Sequence, residues 1–178
     1  MHILFVCTGN ICRSPTAERL AAGLSSMADF SMADFRASSA GTRAVIAHPM
    51  HPDAAQALID LGGDPSDFSA RQLTPAIATD ADLVIAMTRA HRDAVLELAP
   101  RQLHRTFILT EAAALTTQFD PGDVTDLAAL RPQLRADDLD DIPDPIGKKP
   151  EVYAGVAEQI AALVAPIFEF CRRVAAEG

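Results

Sequence analysis

The chain has 178 residues, and its 24 acidic and 15 basic side chains give a formal charge of −9 and a pI near 4.9. That length suits one domain with a single sizeable core, and 49% hydrophobic against 22% charged residues excludes disorder for most of it. The negative charge excludes a nucleic-acid binder, because no global positive field exists to gather phosphates.

Met1 leads straight into His2-Ile3-Leu4-Phe5-Val6 with no basic leader and no small-residue cleavage site. This predicts a cytoplasmic protein without a secretion signal. No apolar run reaches the roughly eighteen residues that span a bilayer, so no membrane insertion is expected. Residues 3–6 read as a buried strand. The loop 7–15 follows, then an alanine-rich helix over 16–24. Ser26-Met27-Ala28-Asp29-Phe30 is copied at once as Ser31-Met32-Ala33-Asp34-Phe35, a tandem duplication (26–35) read as a surface extension without catalytic role.

A more polar edge strand is expected over 36–39, and a turn at His48-Pro49-Met50-His51 that offers no carboxylate partners for a metal. A helix over 54–61, a strand over 83–87 and a helix over 89–98 come next. His91 begins that helix on what reads as a solvated face, and His104 as an exposed residue before a strand at 107–109. Residues 120–144 are long, polar and rich in aspartate, with a short helix at 126–135; such loops are often lids or binding loops. Residues 111–143 read as an insertion. The last helix starts at Pro150, and Val152, Val156, Ile160, Leu163, Ile167, Phe170 and Val174 form one apolar stripe. Pro166 should kink or split it, and Cys171 beside the stripe reads as a buried structural thiol. Strands alternating with helices predict an α/β fold over 1–178: an open, doubly wound, four-stranded parallel sheet with helices on both faces, in the flavodoxin-like order 2-1-3-4. Ligands of such sheets sit beyond the carboxyl ends of the strands.

The chemistry concentrates in Cys7-Thr8-Gly9-Asn10-Ile11-Cys12-Arg13-Ser14-Pro15. This segment joins the end of a strand to the start of a helix. Inward-pointing amides in such a loop form an anion cradle, which the helix dipole reinforces. The same field favours a thiolate on Cys7. Arg13 can grip two oxygens of a tetrahedral oxyanion. Ser14 can donate a hydrogen bond to the sulfur as it leaves, and Asn10 can hold the loop's shape through its amide. Neither a Walker A lysine nor a dinucleotide glycine triplet is present. Cys12 suits a small apolar filler, and a zinc site built with it fits no finger spacing.

These nine residues closely resemble the signature loop of the low-molecular-weight protein tyrosine phosphatases. Ser39-Ala40-Gly41-Thr42, Ala70-Arg71-Gln72 and Asp144-Pro145 resemble further motifs of that family in the expected order. The resemblance implies hydrolysis of phosphomonoesters, above all protein phosphotyrosine, through a phosphocysteine on Cys7. Asp144 would be the general acid and Arg13 the clamp on the phosphoryl oxygens, with no metal and no cofactor. Thr8, Gly9, Asn10, Ile11, Cys12, Ser14, Val45 and Ile146 would form the substrate site. The partners implied are a phosphorylated protein or a small phosphomonoester, and inorganic phosphate. Cys12 would form a reversible disulfide with Cys7 that guards it from over-oxidation. Asp137, Asp138, Asp140 and Asp141 would push the Asp144 pKa upward.

The sequence departs from the family at the slot, where Val45 and Ile146 stand in place of aromatics. Phe68 replaces a histidine that commonly supports the loop asparagine. Protein arginine phosphatases of the same loop type carry Thr where this chain has Ile11, so Ile11 favours an aryl phosphate. Arsenate reductases of this fold need a distal cysteine pair, which Cys171 alone cannot supply. The alternatives are a protein arginine phosphatase and a weakly active phosphate-binding regulatory protein.

Overall fold

Four parallel strands form the sheet: β1 (His2–Cys7), β2 (Arg36–Gly41), β3 (Leu83–Ala86) and β4 (Thr106–Ile108), in the order β2-β1-β3-β4. This computed structural model describes residues 1–28, 35–135 and 139–177. The middle of the tandem repeat (29–34) and Asp137 and Asp138 lie outside the described residues.

Every residue of β1 and β3 is buried, because helices cover both faces. Side chains of a strand alternate in direction, so Ile3, Phe5, Leu83, Ile85 and Phe107 join the core on one face. Leu4, Val6, Val84 and Ala40 join the core on the other. Burying each of these side chains other than Ala40 contributes about 1.5–3 kcal/mol. Helices α1 (Arg13–Met27), α5 (Leu109–Gln118) and α7 (Pro150–Glu177) pack on the first face. Helices α3 (Pro75–Thr79) and α4 (Arg89–Leu98) lie over the second. Helix α2 (Pro52–Asp60) seals a third cluster that includes Cys12, Met50, Leu58 and Tyr153.

Several expectations need correction. Pro166 does not split α7, which runs unbroken through it. Val164, Ile167 and Phe168 are buried on both sides of the proline, and that packing outweighs the cost of about 3 kcal/mol for an interior proline. Among the described residues α7 is the one helix long and apolar enough to cross a membrane by length and composition. Val156, Ile160, Ile167 and Phe170 of its apolar stripe are instead buried in the core, with Leu163 and Val174 partly buried and Val152 exposed at the start; Cys171 is also buried, which pushes its thiol pKa up. Strand β4 begins and ends one residue earlier than expected, because α5 starts at Leu109 with no intervening loop. Helix α5 and the short α3 carry no clean apolar period. The short helix in the acidic stretch is α6 (Val124–Leu130). After it, Arg131 stacks over the Phe107 ring at 4.3 Å and bonds the buried Glu111 at 2.7 Å, covering the free edge of β4.

Candidate active site

Strand β1 ends at Cys7, which pairs in register with Gly41 at the end of β2. A Cβ on Gly41 would lie 2.5 Å from the Thr8 carbonyl oxygen, so only glycine allows the two chains to leave the sheet this close together. The turn after Gly41 then satisfies the loop's carbonyls from outside. The N–H groups of Thr42, Arg43 and Val45 donate to the carbonyls of Cys7, Thr8 and Gly9, each at 2.9 Å, and that of His51 donates to Ile11 O at 2.7 Å. In a trans peptide C=O and N–H point opposite ways, so carbonyls committed outward turn amides inward. Asn10 adopts a left-handed φ of 57°, the alternation that makes a backbone nest. Helix α1 begins at Arg13, and its first-turn amides, which lack intrahelical partners, extend the cradle.

The side chains behind the loop explain its other residues. Cys7 Sγ lies 2.9 Å from Ser14 Oγ. Asn10 Nδ2 donates to Ser14 Oγ at 3.0 Å and to Ser39 Oγ at 2.8 Å, while Asn10 Oδ1 accepts from Arg71 N at 2.9 Å. Asn10 and Ser14 are therefore fully buried supports, placed behind the cleft rather than on its wall. The amide of Asn10 is satisfied without a histidine at position 68, where Phe68 instead lies under Arg19. The Ala70-Arg71-Gln72 segment buttresses the same corner, because Gln72 accepts from Ala44 N and donates to Thr42 O, both at 3.0 Å.

Arg13 is 5% exposed, and its guanidinium joins the loop to the Asp-Pro segment. Nη1 donates to Ile142 O at 3.0 Å, and Nη2 pairs with Asp144 Oδ2 at 2.9 Å. Nε is buried with no partner among the described residues, a donor free to bind an oxyanion. The Asp-Pro segment is docked on the sheet by Ile142 N–H, which donates to Met87 O at 2.9 Å. Asp141 is turned away from Asp144, accepting from Arg89 N at the start of α4 at 2.8 Å. Among the described residues, the charge paired with Asp144 is the Arg13 guanidinium; Asp137 and Asp138, expected beside it, lie outside the described residues.

A cleft of about 280 Å³ opens over Cys7 and is floored by Thr8, Gly9, Cys12 and Arg13. Its walls are Ile11, Val45 and Ile146, with Asp144 at the side. Val45 and Ile146 are 39% and 48% exposed, as side chains at a mouth would be. Cys12 faces the third core cluster on its other side, and burial with the nearby Cys7 pushes its thiol pKa up to about 12. Tyr153, the sole tyrosine, is buried behind this wall and stacked on His51 at 4.9 Å. No group of three or more metal-ligating side chains is found among the described residues.

Two residues escaped the sequence reading. Arg43 lines the cleft, and counting two positions on from the Gly41–Cys7 pair would have located it. His91 is not on a solvated face: it is 7% exposed and bridges Thr8 Oγ1 (Nε2, 2.8 Å) and Thr88 Oγ1 (Nδ1, 2.9 Å). Burial, with Arg13 nearby, lowers its pKa to about 4, so the imidazole is neutral. The signal was Thr88-x-x-His91, an N-cap hydroxyl accepting from the His91 amide three residues on.

Comparisons with known proteins converge on one family. The family model described as low molecular weight phosphotyrosine protein phosphatase matches residues 2–177. A probable low molecular weight protein-tyrosine-phosphatase of Ralstonia nicotianae is 34% identical over 121 residues, 68% of this chain and 76% of its own. A protein-arginine-phosphatase of Bacillus subtilis is 36% identical over 111 residues, 62% of this chain and 71% of its own. The crystal structure of a low molecular weight protein tyrosine phosphatase from T. tengcongensis superposes with a TM-score of 0.76 at 30% identity, covering 95% of this chain and 98% of that one.

Proposed function

Because the chain belongs to the low molecular weight phosphotyrosine protein phosphatase family, we propose that it hydrolyses protein phosphotyrosine through a phosphocysteine formed on Cys7. The observation that carries this reading is the convergence of Cys7, Arg13 and Asp144 on one cleft. The Cys7 thiolate attacks phosphorus and the bond from phosphorus to the ester oxygen breaks. Asp144, protonated, gives its proton to that oxygen, so the alcohol or phenol leaves neutral. Asp144, now a carboxylate, takes a proton from water as the water oxygen attacks phosphorus. The S–P bond breaks, inorganic phosphate departs, and Ser14 donates to the returning thiolate. The loop amides and the free Arg13 Nε stabilise the equatorial oxygens in both steps.

The apolar walls Ile11, Val45 and Ile146 suit the two faces of a phenyl ring. Arg43 and Arg13 on the same cleft disfavour phosphoarginine, whose guanidinium would stand beside two others. One observation favours the arginine reading, namely that the walls are aliphatic where a flat ring would gain from aromatic partners. Peptides carrying phosphotyrosine or phosphoarginine separate the two by their kcat/KM. For the chemistry itself, wild type should turn over p-nitrophenyl phosphate and Cys7→Ser should lose about 10⁴-fold or more. Wild-type protein that binds phosphate without turnover would instead mark a phosphate-binding regulatory protein. We place the reaction in a bacterial cytoplasm: the relatives above are bacterial, and three free thiols suit a reducing compartment.

A further inference from the structure

We infer that the mouth of the cleft selects substrates in which carboxylate side chains flank the phosphorylated residue, and that Arg43, Lys148 and Lys149 read them. The inference rests on the phosphatase reading above and names the peptide sequence that such a site prefers. The chain holds two lysines in all, and both stand together just after the Ile146 wall. The turn that places them is tight: Lys148 N–H donates to Pro145 O at 2.9 Å, and Gly147 takes a left-handed φ of 74°. The same turn holds Asp144, whose Oδ1 accepts from Ile146 N at 3.2 Å. A single turn thus carries the general acid and both lysines. Arg43 lies on the turn after β2, where its N–H donates to Thr8 O at 2.9 Å, and it lines the cleft.

All three cations are exposed, and among the described residues none of them makes an ion pair or a side-chain hydrogen bond. The lysines also stand where they do not help the fold: α7 begins at Pro150, and the positive end of a helix dipole disfavours a neighbouring cation. The carboxylates nearby are already engaged. Asp144 pairs with Arg13 at 2.9 Å, Asp141 accepts from Arg89 N at 2.8 Å, and Asp53 stands 3.8 Å from His51 Nδ1. Glu151 is in the first turn of α7, where the helix end favours its charge. A net charge of −9 repels an acidic peptide over most of the surface, so free cations beside the cleft give it a place to approach. An extended peptide advances about 3.3 Å per residue, which puts side chains within about three positions of the phosphotyrosine in reach of these long side chains. Exposed pairs are individually weak and act on encounter and register, so the effect belongs in KM rather than in kcat.

The test uses phosphotyrosine peptides that differ only in having Glu, Gln or Lys at the two positions on each side. It measures kcat and KM on wild type, and Kd by fluorescence anisotropy on Cys7→Ser, which needs no turnover. Wild type should favour the Glu peptide over the Lys peptide by about tenfold in kcat/KM, carried by KM, since each exposed pair is worth about two- to threefold. The ratio should fall to about twofold at 1 M salt, where charges are screened within about 3 Å. Lys148→Gln with Lys149→Gln should bring it to about threefold, and adding Arg43→Gln to about one. The ratio is internal to each variant, so a general loss of activity cancels. Lys148→Glu with Lys149→Glu should invert the order, which poor folding cannot mimic, and should hold or raise the melting temperature because the helix end favours the new charges. A wild-type ratio near one, or a ratio that survives the charge reversal, would overturn the inference. A wild type that turns over neither the peptides nor p-nitrophenyl phosphate would sink the phosphatase reading, while the Kd ratio on Cys7→Ser still scores the mouth.

Discussion

Residues 7–14 have the carbonyls of Cys7, Thr8, Gly9, Ile11 and Cys12 bonded by neighbouring backbone and a buried side-chain relay behind them. Residues 139–147, which bring Asp144 to the same cleft, depend on a few long-range tethers. Asp144 itself stands about half exposed, whereas Arg13 is buried. The difference suits the chemistry proposed for each segment. Oxyanion stabilisation works through donors already in place, since reorganising them during reaction would cost the stabilisation they provide. An acid that serves a leaving group and then a water must change partners between steps. Arg13 belongs to the first segment yet bonds the second at two points, so in the proposed reaction phosphate arriving at its guanidinium would compete with Asp144 and free the acid for the leaving oxygen.

The largest effect that can break this division is on Asp144→Asn. Its kcat should fall by about 10²–10⁴, more for phenolic and alkyl leaving groups than for p-nitrophenol, which needs less protonation. Inhibition by inorganic phosphate should hold or tighten, because the cradle is intact and a competitor for the Arg13 guanidinium is gone. A matching loss of phosphate affinity would show that the two segments act as one unit.

The same contrast governs what was legible in the sequence. The first segment is local: strand, cradle and helix start lie in nine consecutive residues, and the spacing of Cys7, Arg13 and Ser14 carries their geometry. Its outer supports are not local. Arg43 depends on the register of β2 against β1. His91 looked like part of a charged helix start beside Arg92 and Asp93, and its burial comes from Thr8, 83 residues away. Tertiary packing likewise overrode local preference at Pro166. The sheet order and the strands were readable because continuous β-branched runs separated by helices leave few topologies. The direction in which Asp141 points was not readable, since a run of aspartates does not say which of them caps a helix.

A smaller effect sharpens the role of His91, which joins the cradle at Thr8 to the start of α4. Its folded pKa of about 4 lies below the ordinary histidine value of 6.5, so between those values the unfolded chain takes up a proton that the folded one refuses. Stability should therefore fall as pH drops from about 6.5 to about 4, by at most about 3 kcal/mol from this residue. Melting curves across that range compare wild type with His91→Gln, in which this slope is absent. An unchanged slope would mean that other groups drive the acid loss. Thr8 is on the cleft floor, so the variant should also weaken phosphate inhibition by a few fold, an effect absent from changes in the Asp-Pro segment.

Asp141 gives the finest comparison, because its carboxylate touches neither substrate nor Arg13. It accepts from the first amide of α4, where the helix N-terminus favours a negative charge. Removing it by Asp141→Ala should cost about 1 kcal/mol of stability, the usual value of such a cap. The kinetic expectation is more specific. The tether sets where Asp144 rests, so kcat for a phenyl phosphate should drop by a few fold, while phosphate inhibition and the alkylation rate of Cys7 stay at wild-type values. If alkylation changed with kcat, the Asp-Pro segment would be shaping the cradle through Arg13. The exposed arm and the buried loop would then be one mechanical unit in the ground state as well as during turnover.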